Sequence, residues 1–299
     1  MAAEGVLQPD ERATLARRYE AAGFTARFGR RADGVPVVPA LVLAFGGAFH
    51  RGSKENDCFP DAGAYGPNTA MAEYCRRFAR EGIACFSVAY RLAPDDPDPG
   101  TTPVLTQPAA VPLSRVEQVR EIMGLPPITP QSMADVVEAA IDDVTAAARA
   151  VVARAGEFGV DAGRVVLGGW SAGARCALYA AYAERVPCAG VIALSGTMAD
   201  ADIAAYLPAG AAHPPLLLIT AEHDVGYIRD GAPPMVAAMW ARAGLRPNLS
   251  LAPRSQQTPK RVRGEFDVIS FGWANEPMID AYSILIQVMR SKSGSGGVF

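Results

Sequence analysis

Six short apolar runs rich in branched side chains alternate along this chain with longer stretches of helical periodicity. The runs read as strands at Pro39–Phe45, Cys85–Tyr90, Arg164–Gly168, Gly190–Leu194, Pro215–Thr220 and Leu249–Ala252, and helices are expected near Asn68–Gly82, Ser132–Gly156, Ala172–Arg185, Pro233–Ala243 and Glu276–Arg290. A strand that is apolar throughout must be covered on both faces, and strands joined through helices run parallel. The pattern therefore implies an α/β fold, a mostly parallel central sheet with helices on both faces. With 299 residues, half of them hydrophobic, the chain has material for a large core, and no repeat or second core interrupts it. The expectation is one domain over residues 1–299, with a flexible tail at 292–299.

The insertion 95–131 breaks this alternation. It is rich in proline and holds one short amphipathic helix, with Ser114 and Glu117 at capping-box spacing and Leu113, Val116, Val119 and Met123 on roughly one face. A connection of this length in a compact domain is commonly a functional loop, and a lid over the mouth of a site is the expectation.

Acidic and basic residues nearly cancel, to a net charge of −3, and no cluster of Lys and Arg suits a phosphate backbone, so no nucleic acid is expected as a partner. The N-terminus is polar and no segment is long and apolar enough for a bilayer, so neither export nor a membrane is expected, and the location is expected to be cytoplasmic. The five cysteines lack metal-ligand spacing and read as reduced core thiols, and the three histidines, His50, His213 and His223, form no zinc pattern. No metal is expected. No G-x-G-x-x-G follows a strand, so no cofactor is expected either. The expected partner is a small hydrophobic molecule; the oligomeric state is left open, a homo-oligomer included.

Two motifs carry the chemistry. Gly169-Trp170-Ser171-Ala172-Gly173 fits G-x-S-x-G, with the apolar run RVVLGG leading in and the helical run AGARCALYAAYAER leading out. A serine at such a strand-to-helix turn sits on a sharp bend, where the start of the helix favours negative charge. Phe45-Gly46-Gly47-Ala48-Phe49-His50-Arg51-Gly52-Ser53 directly follows the first strand. Its paired glycines let backbone N–H groups approach a substrate oxygen, as an oxyanion hole requires.

With Tyr90-Arg91-Leu92-Ala93-Pro94 added, the chain resembles the hormone-sensitive-lipase and plant-carboxylesterase branch of the α/β-hydrolases, whose members pair an HGGG-F-x-x-G-S loop with YRLAPE and GDSAGG. Order and spacing agree from about Val37 to the C-terminal helix, with 95–131 as an insertion. The resemblance implies the α/β-hydrolase fold, Ser171 as nucleophile, the backbone N–H groups of Gly47, Ala48 and Ala172 as oxyanion donors, and Asp224, in LLLITAEHDVGY, as the acid. Phe45 stands where that branch has its leading histidine and Trp170 where it has an acidic residue. Phe49, His50 and Trp170 are the substrate-contact candidates, with Trp273 as a further aromatic wall.

The triad base is missing. In LSLAPRSQQTPK the family's histidine position falls on Gln257, or on Gln256 if the register slips, and no histidine follows His223 in the sequence. A glutamine amide is no base near neutral pH, and deleting the base of a serine protease costs on the order of a millionfold, roughly 8 to 9 kcal/mol of barrier. His50 is the better substitute, while His223 reads as a loop residue and His213 as structural. Three readings follow. The first is a non-hydrolytic enzyme on the hydrolase scaffold, a lyase, dehydratase or cyclase acting on a hydrophobic carbonyl compound. The second is a carboxylesterase with an unusual or replaced base. The third is a small-molecule receptor.

Overall fold

The computed structural model of the chain describes residues 29–30, 36–60, 68–208, 211–221 and 224–242. Contacts divide the chain into Met1–Pro247 and Asn248–Phe299, and every described residue lies in the first unit. The expected strand Leu249–Ala252, the helix Glu276–Arg290 and residues His223, Gln256, Gln257 and Trp273 fall outside the described residues.

The described strands are β1 (Gly29–Arg30), β2 (Pro36–Ala44), β3 (Ala84–Val88), β4 (Val160–Trp170), β5 (Gly190–Leu194) and β6 (Leu216–Ile219). Five of them form a parallel sheet in the order β3-β2-β4-β5-β6, and β1 pairs antiparallel with the start of β2. The described α-helices are α1 (Met71–Arg80), α2 (Ser114–Ile122), α3 (Pro130–Ala153), α4 (Ala155–Phe158), α5 (Ala172–Tyr182), α6 (Asp200–Tyr206) and α7 (Gly226–Arg242).

Side chains of β2 alternate between two cores. Ala40, Val42 and Ala44 join the large cluster that includes the buried faces of α3 and α5, whereas Leu41 and Leu43 meet Cys75 of α1 in a smaller one. The parallel register aligns the strand ends: Ala44 pairs with both Val88 and Gly169, Trp170 with Leu194, and Leu194 with Ile219. The segments leaving β2, β4, β5 and β6 thus emerge along one edge of the sheet, the carboxyl edge where open α/β sheets hold their ligands.

Three local expectations are corrected. Ser114 and Glu117 form no capping box: Leu113 caps α2, no side chain bonds the cap, and the Glu117 N–H bonds the Leu113 carbonyl at 2.8 Å. The helix expected from Pro233 begins at Gly226 and carries Pro233 and Pro234 inside it. The helix expected over Ser132–Gly156 breaks at Arg154, where α3 gives way to the single turn α4. Among the described residues no helix is long and apolar enough to cross a membrane.

The insertion 95–131 is fixed at its middle by two buried carboxylates. Glu138 of α3 accepts the backbone N–H groups of Val104 (3.0 Å to each oxygen) and Leu105 (2.7 Å), and Asp202 of α6 accepts the N–H and hydroxyl of Thr106 (2.8 and 2.6 Å). The Tyr206 hydroxyl donates to the Val104 carbonyl at 2.6 Å. Val104, Leu105, Val111, Val116 and Val119 are buried in consequence.

Candidate active site

Ser171 caps the N-terminus of α5 with φ 52° and ψ −113°, a backbone region that costs a residue bearing a Cβ about 1–3 kcal/mol. Neighbouring atoms hold it there. Its N–H bonds the Leu194 carbonyl at 2.8 Å and its carbonyl accepts the Arg175 N–H at 3.0 Å. Close packing explains the two motif glycines: a Cβ on Gly169 would stand 2.5 Å from the Ala44 carbonyl oxygen, and one on Gly173 only 2.2 Å from that same oxygen. The bend brings the start of α5 against the end of β2, and only glycine allows that approach.

The chain leaving β2 makes the facing wall. Gly47 has φ 132°, and Ala48 and Phe49 follow at φ 54° and 61°, with the His50 N–H closing the turn on the Gly47 carbonyl at 3.1 Å. Consecutive left-handed residues turn successive N–H groups inward, an anion-binding concavity. Among the described residues the N–H groups of Gly47, Ala48 and Ala172 make no hydrogen bond to the protein. Ser171, Ala48, Phe49 and Ala172 line one cleft, together with Val111, Pro112, Arg115 and Val116 of the insertion, Met133 and Val137 of α3, and Arg175, Gly196, Thr197, Tyr227 and Ile228. The empty space within the cleft is about 450 Å³, open solvent included.

Several residues hold the loop without lining the cleft. Asp57, 1 % exposed, accepts the Gly46 N–H at 3.1 Å and the Met71 N–H at 2.7 Å, tying the loop to the start of α1; burial pushes its carboxyl above the ordinary value, against these two bonds. Tyr90 of the Tyr-Arg-Leu-Ala-Pro run stacks on Phe45 with ring centres 4.2 Å apart and donates its hydroxyl to the Phe45 carbonyl at 2.8 Å. Phe45 therefore braces the loop by stacking, where the resembled branch has a histidine. The Ala93 N–H bonds the Phe49 carbonyl at 2.8 Å, and Arg91 is anchored on Asp143 at 2.9 Å.

His50 and Trp170 stand apart from the cleft lining. His50 is 1 % exposed, with Nδ1 2.7 Å from the Ala48 carbonyl and Nε2 2.9 Å from a guanidinium nitrogen of Arg120 on α2. A guanidinium only donates, so Nε2 accepts and Nδ1–H donates to Ala48. Burial lowers the His50 pKa, aided by the Arg120 charge and opposed by the Ala48 bond. Both nitrogens are committed to structure, and neither is offered to Ser171. Trp170 packs on the backbone of Gly46, where a Cβ would meet its ring at 2.4 Å, and its ring centre is 6.1 Å from that of Phe59. His213 is buried with its ring edge-on to Tyr182.

Asp224 follows β6 and precedes α7. Its carboxylate accepts the Val225 N–H at 2.8 Å and the Ala221 N–H at 3.3 Å, a local turn that fixes the side chain. Its charge raises the Tyr227 pKa, as burial does more strongly, whereas Arg175 acts to lower it.

Asp57, Arg115, Arg120, Asp202 and Tyr227 fall outside the chemistry-bearing motifs of the sequence, and Arg175 lies just beyond one of them. Arg175 was legible: four residues after Ser171 it must share that face of α5. It is 8 % exposed, its guanidinium carbon lies 5.7 Å from the Tyr179 ring centre, and its Nε has no hydrogen-bond partner. Burial opposes its charge, but Tyr179, Tyr227 and Asp202 outweigh that and keep it protonated.

Comparison with protein families matches residues 124–224 to the phospholipase/carboxylesterase family of α/β-hydrolases. Comparison with curated proteins finds no match. Among solved structures, esterase 2 of Thermogutta terrifontis in its apo form is 18 % identical, with a TM-score of 0.41 over 67 % of this chain and 68 % of that one. A bacterial heroin esterase is 23 % identical, with a TM-score of 0.35 over 64 % of this chain and 53 % of that one. The ester-hydrolase EH1AB1 from the metagenome of Lake Arreo is 24 % identical, with a TM-score of 0.32 over 53 % and 35 %. With its parallel sheet, strained serine turn and matched segment, the chain has the α/β-hydrolase fold.

Proposed function

We propose that this protein is a Ser171-dependent enzyme of small carboxylic esters. The observation that carries the reading is the pairing of a strained Ser171 with N–H groups of Ala48 and Ala172 that line the same cleft and bond nothing else in the described protein. The match of residues 124–224 to a phospholipase/carboxylesterase family supports it. In the proposed reaction the Ser171 oxygen attacks the ester carbonyl, whose oxygen takes the electron pair and is held by those N–H groups. Collapse of that adduct breaks the bond to the alkoxy oxygen, which leaves as the alcohol with the proton Ser171 gave up. Water then cleaves the acyl-serine, releasing the acid and restoring the hydroxyl. Asp224 belongs to this reading as the acid of an incomplete triad with Gln257 in the histidine position.

A second reading, non-hydrolytic chemistry on a carbonyl compound, is favoured by one observation: His50 is committed at both ring nitrogens, His213 packs on Tyr182, and no histidine follows His223 in the sequence. An enolate-like charge uses the same N–H groups and needs no strong base at serine. Turnover of p-nitrophenyl butyrate by the parent protein, Ser171→Ala and Gln257→His separates the two. The ester reading expects measurable hydrolysis that disappears in Ser171→Ala and rises at least about tenfold in Gln257→His, a fraction of what a triad base supplies. Background hydrolysis by the parent refutes it in favour of the second reading.

A further inference from the structure

Two arginines line the cleft, and no carboxylate does among the described residues. Arg175 comes from the first turn of α5, beside Ser171 and almost wholly buried; Arg115 comes from α2 at the half-buried rim, bonded through one nitrogen to the exposed Gln118 at 3.1 Å. A cation is rarely taken out of water unless paired. Arg175 forms no ion pair among the described residues; its guanidinium bonds the Tyr179 side chain, and its Nε has no hydrogen-bond partner. Asp202, whose charge acts on it, makes no ion pair with it: one of its oxygens is on Thr106 and the other on the hydroxyl of Tyr179. Thr197 and Tyr227 also line the cleft, but neither carries a compensating charge. A buried guanidinium with its Nε unbonded, in a wall that also holds Phe49, Val111, Val116, Met133 and Ile228, is suited to an anion.

We propose that the substrate of the Ser171 cleft carries a free carboxylate beside its reacting group, taken by Arg175 from the wall and by Arg115 from the rim. This rests on the ester reading for the reacting group, but not for the anion site itself. The planar fork of arginine matches a carboxylate in two parallel bonds, while the apolar residues sheathe the connecting chain. The substrate class is thus an ester of a short dicarboxylic acid or of a similar carboxylate-bearing metabolite.

The test compares two probes that differ in one charge: the mono-p-nitrophenyl ester of glutaric acid and the methyl ester of the same compound. A charge-assisted bond in a buried site gives the acid an advantage of about ten- to a hundredfold in kcat/KM in the parent protein. Arg175→Met brings that ratio below about threefold, Arg115→Gln lowers it partway, and Arg175→Lys, with the charge but not the fork, falls between. A parent ratio near one, or a ratio untouched by both Arg115→Gln and Arg175→Lys, overturns the proposal, and so keeps it decidable if Arg175→Met does not fold.

Calorimetric titration of the Ser171→Ala protein with glutaric acid monoamide and with its methyl ester reads the site without turnover. If no ester is cleaved but the acid binds at least about tenfold tighter and Arg175→Lys weakens it, the anion site stands and the ester reading falls. If esters are cleaved without preference and both amides bind alike, the ester reading stands and the anion site falls.

Discussion

Replacing Asp57 by alanine tests how the loop before His50 is held. The carboxylate is buried and takes one N–H from Gly46 and one from Met71. In Asp57→Ala both donors lose their acceptor inside the protein, and an orphaned buried N–H costs about 1–3 kcal/mol. Two of them sum to about 2–6 kcal/mol. The alanine also relieves the burial of a charge, which is what raises the Asp57 pKa, so the net loss belongs in the lower part of that range, about 2–4 kcal/mol. For a unit of this size each kcal/mol moves Tm by roughly 2–4 °C, so calorimetry at pH 7 should show a fall of roughly 5–15 °C, with the urea midpoint following. Asp57→Asn keeps one acceptor and belongs between the two. Because the folded pKa is raised, the stability Asp57 gives relative to asparagine is fully present below the ordinary value of 3.8 and is lost as pH rises through the raised one. A Tm for Asp57→Ala within about 2 °C of the parent would refute the reasoning, because two buried donors cannot both lose a partner without cost.

Two further outcomes follow from the site. Ser171→Gly removes the steric strain at φ 52°, worth about 1–3 kcal/mol, against the roughly 0.5–1 kcal/mol that glycine loses in chain freedom; Tm should rise by a few degrees while ester turnover vanishes, and a lower Tm would contradict the strain. His50 has a lowered folded pKa, so its contribution is present above the ordinary value of 6.5 and is lost as pH falls below it. Urea unfolding of the parent and of His50→Gln, whose amide can accept from Arg120 and donate to the Ala48 carbonyl, should show the parent's margin shrinking between pH 7 and 5; a margin that grows would contradict the committed neutral ring.

What the sequence disclosed followed how local each feature is. Gly190–Leu194 is a strand over the same residues in the reading and in the structure, because a run buried between β4 and β6 is apolar from end to end. β4 starts at Val160 rather than Arg164, since its first residues, Val160-Asp161-Ala162-Gly163, carry polar and small side chains and join the ladder through a register shift opposite Val38 and Ala40. α7 hid behind Pro233 and Pro234, which read as a helix start but sit within a helix. Ser171, Ala48 and Ala172 were legible because spacing within ten residues fixes them relative to strand ends. Asp57, Arg120 and Asp202 were not: their partners are 11 to 14, 70 and up to 96 residues away, and no local pattern marks such pairs. Phe49 was read as a substrate contact and lines the cleft, whereas His50 and Trp170, read from the same loop and turn, point their contacts into the protein.

Glu138 and Asp202 grip the insertion by the backbone N–H groups of three successive residues, with the Thr106 hydroxyl as the one side-chain contact. A grip of that kind does not ask what side chains follow. The moorings on α3 and α6 thus hold the main chain a few residues ahead of Val111, Pro112, Arg115 and Val116, which line the cleft, as a setting holds its stone.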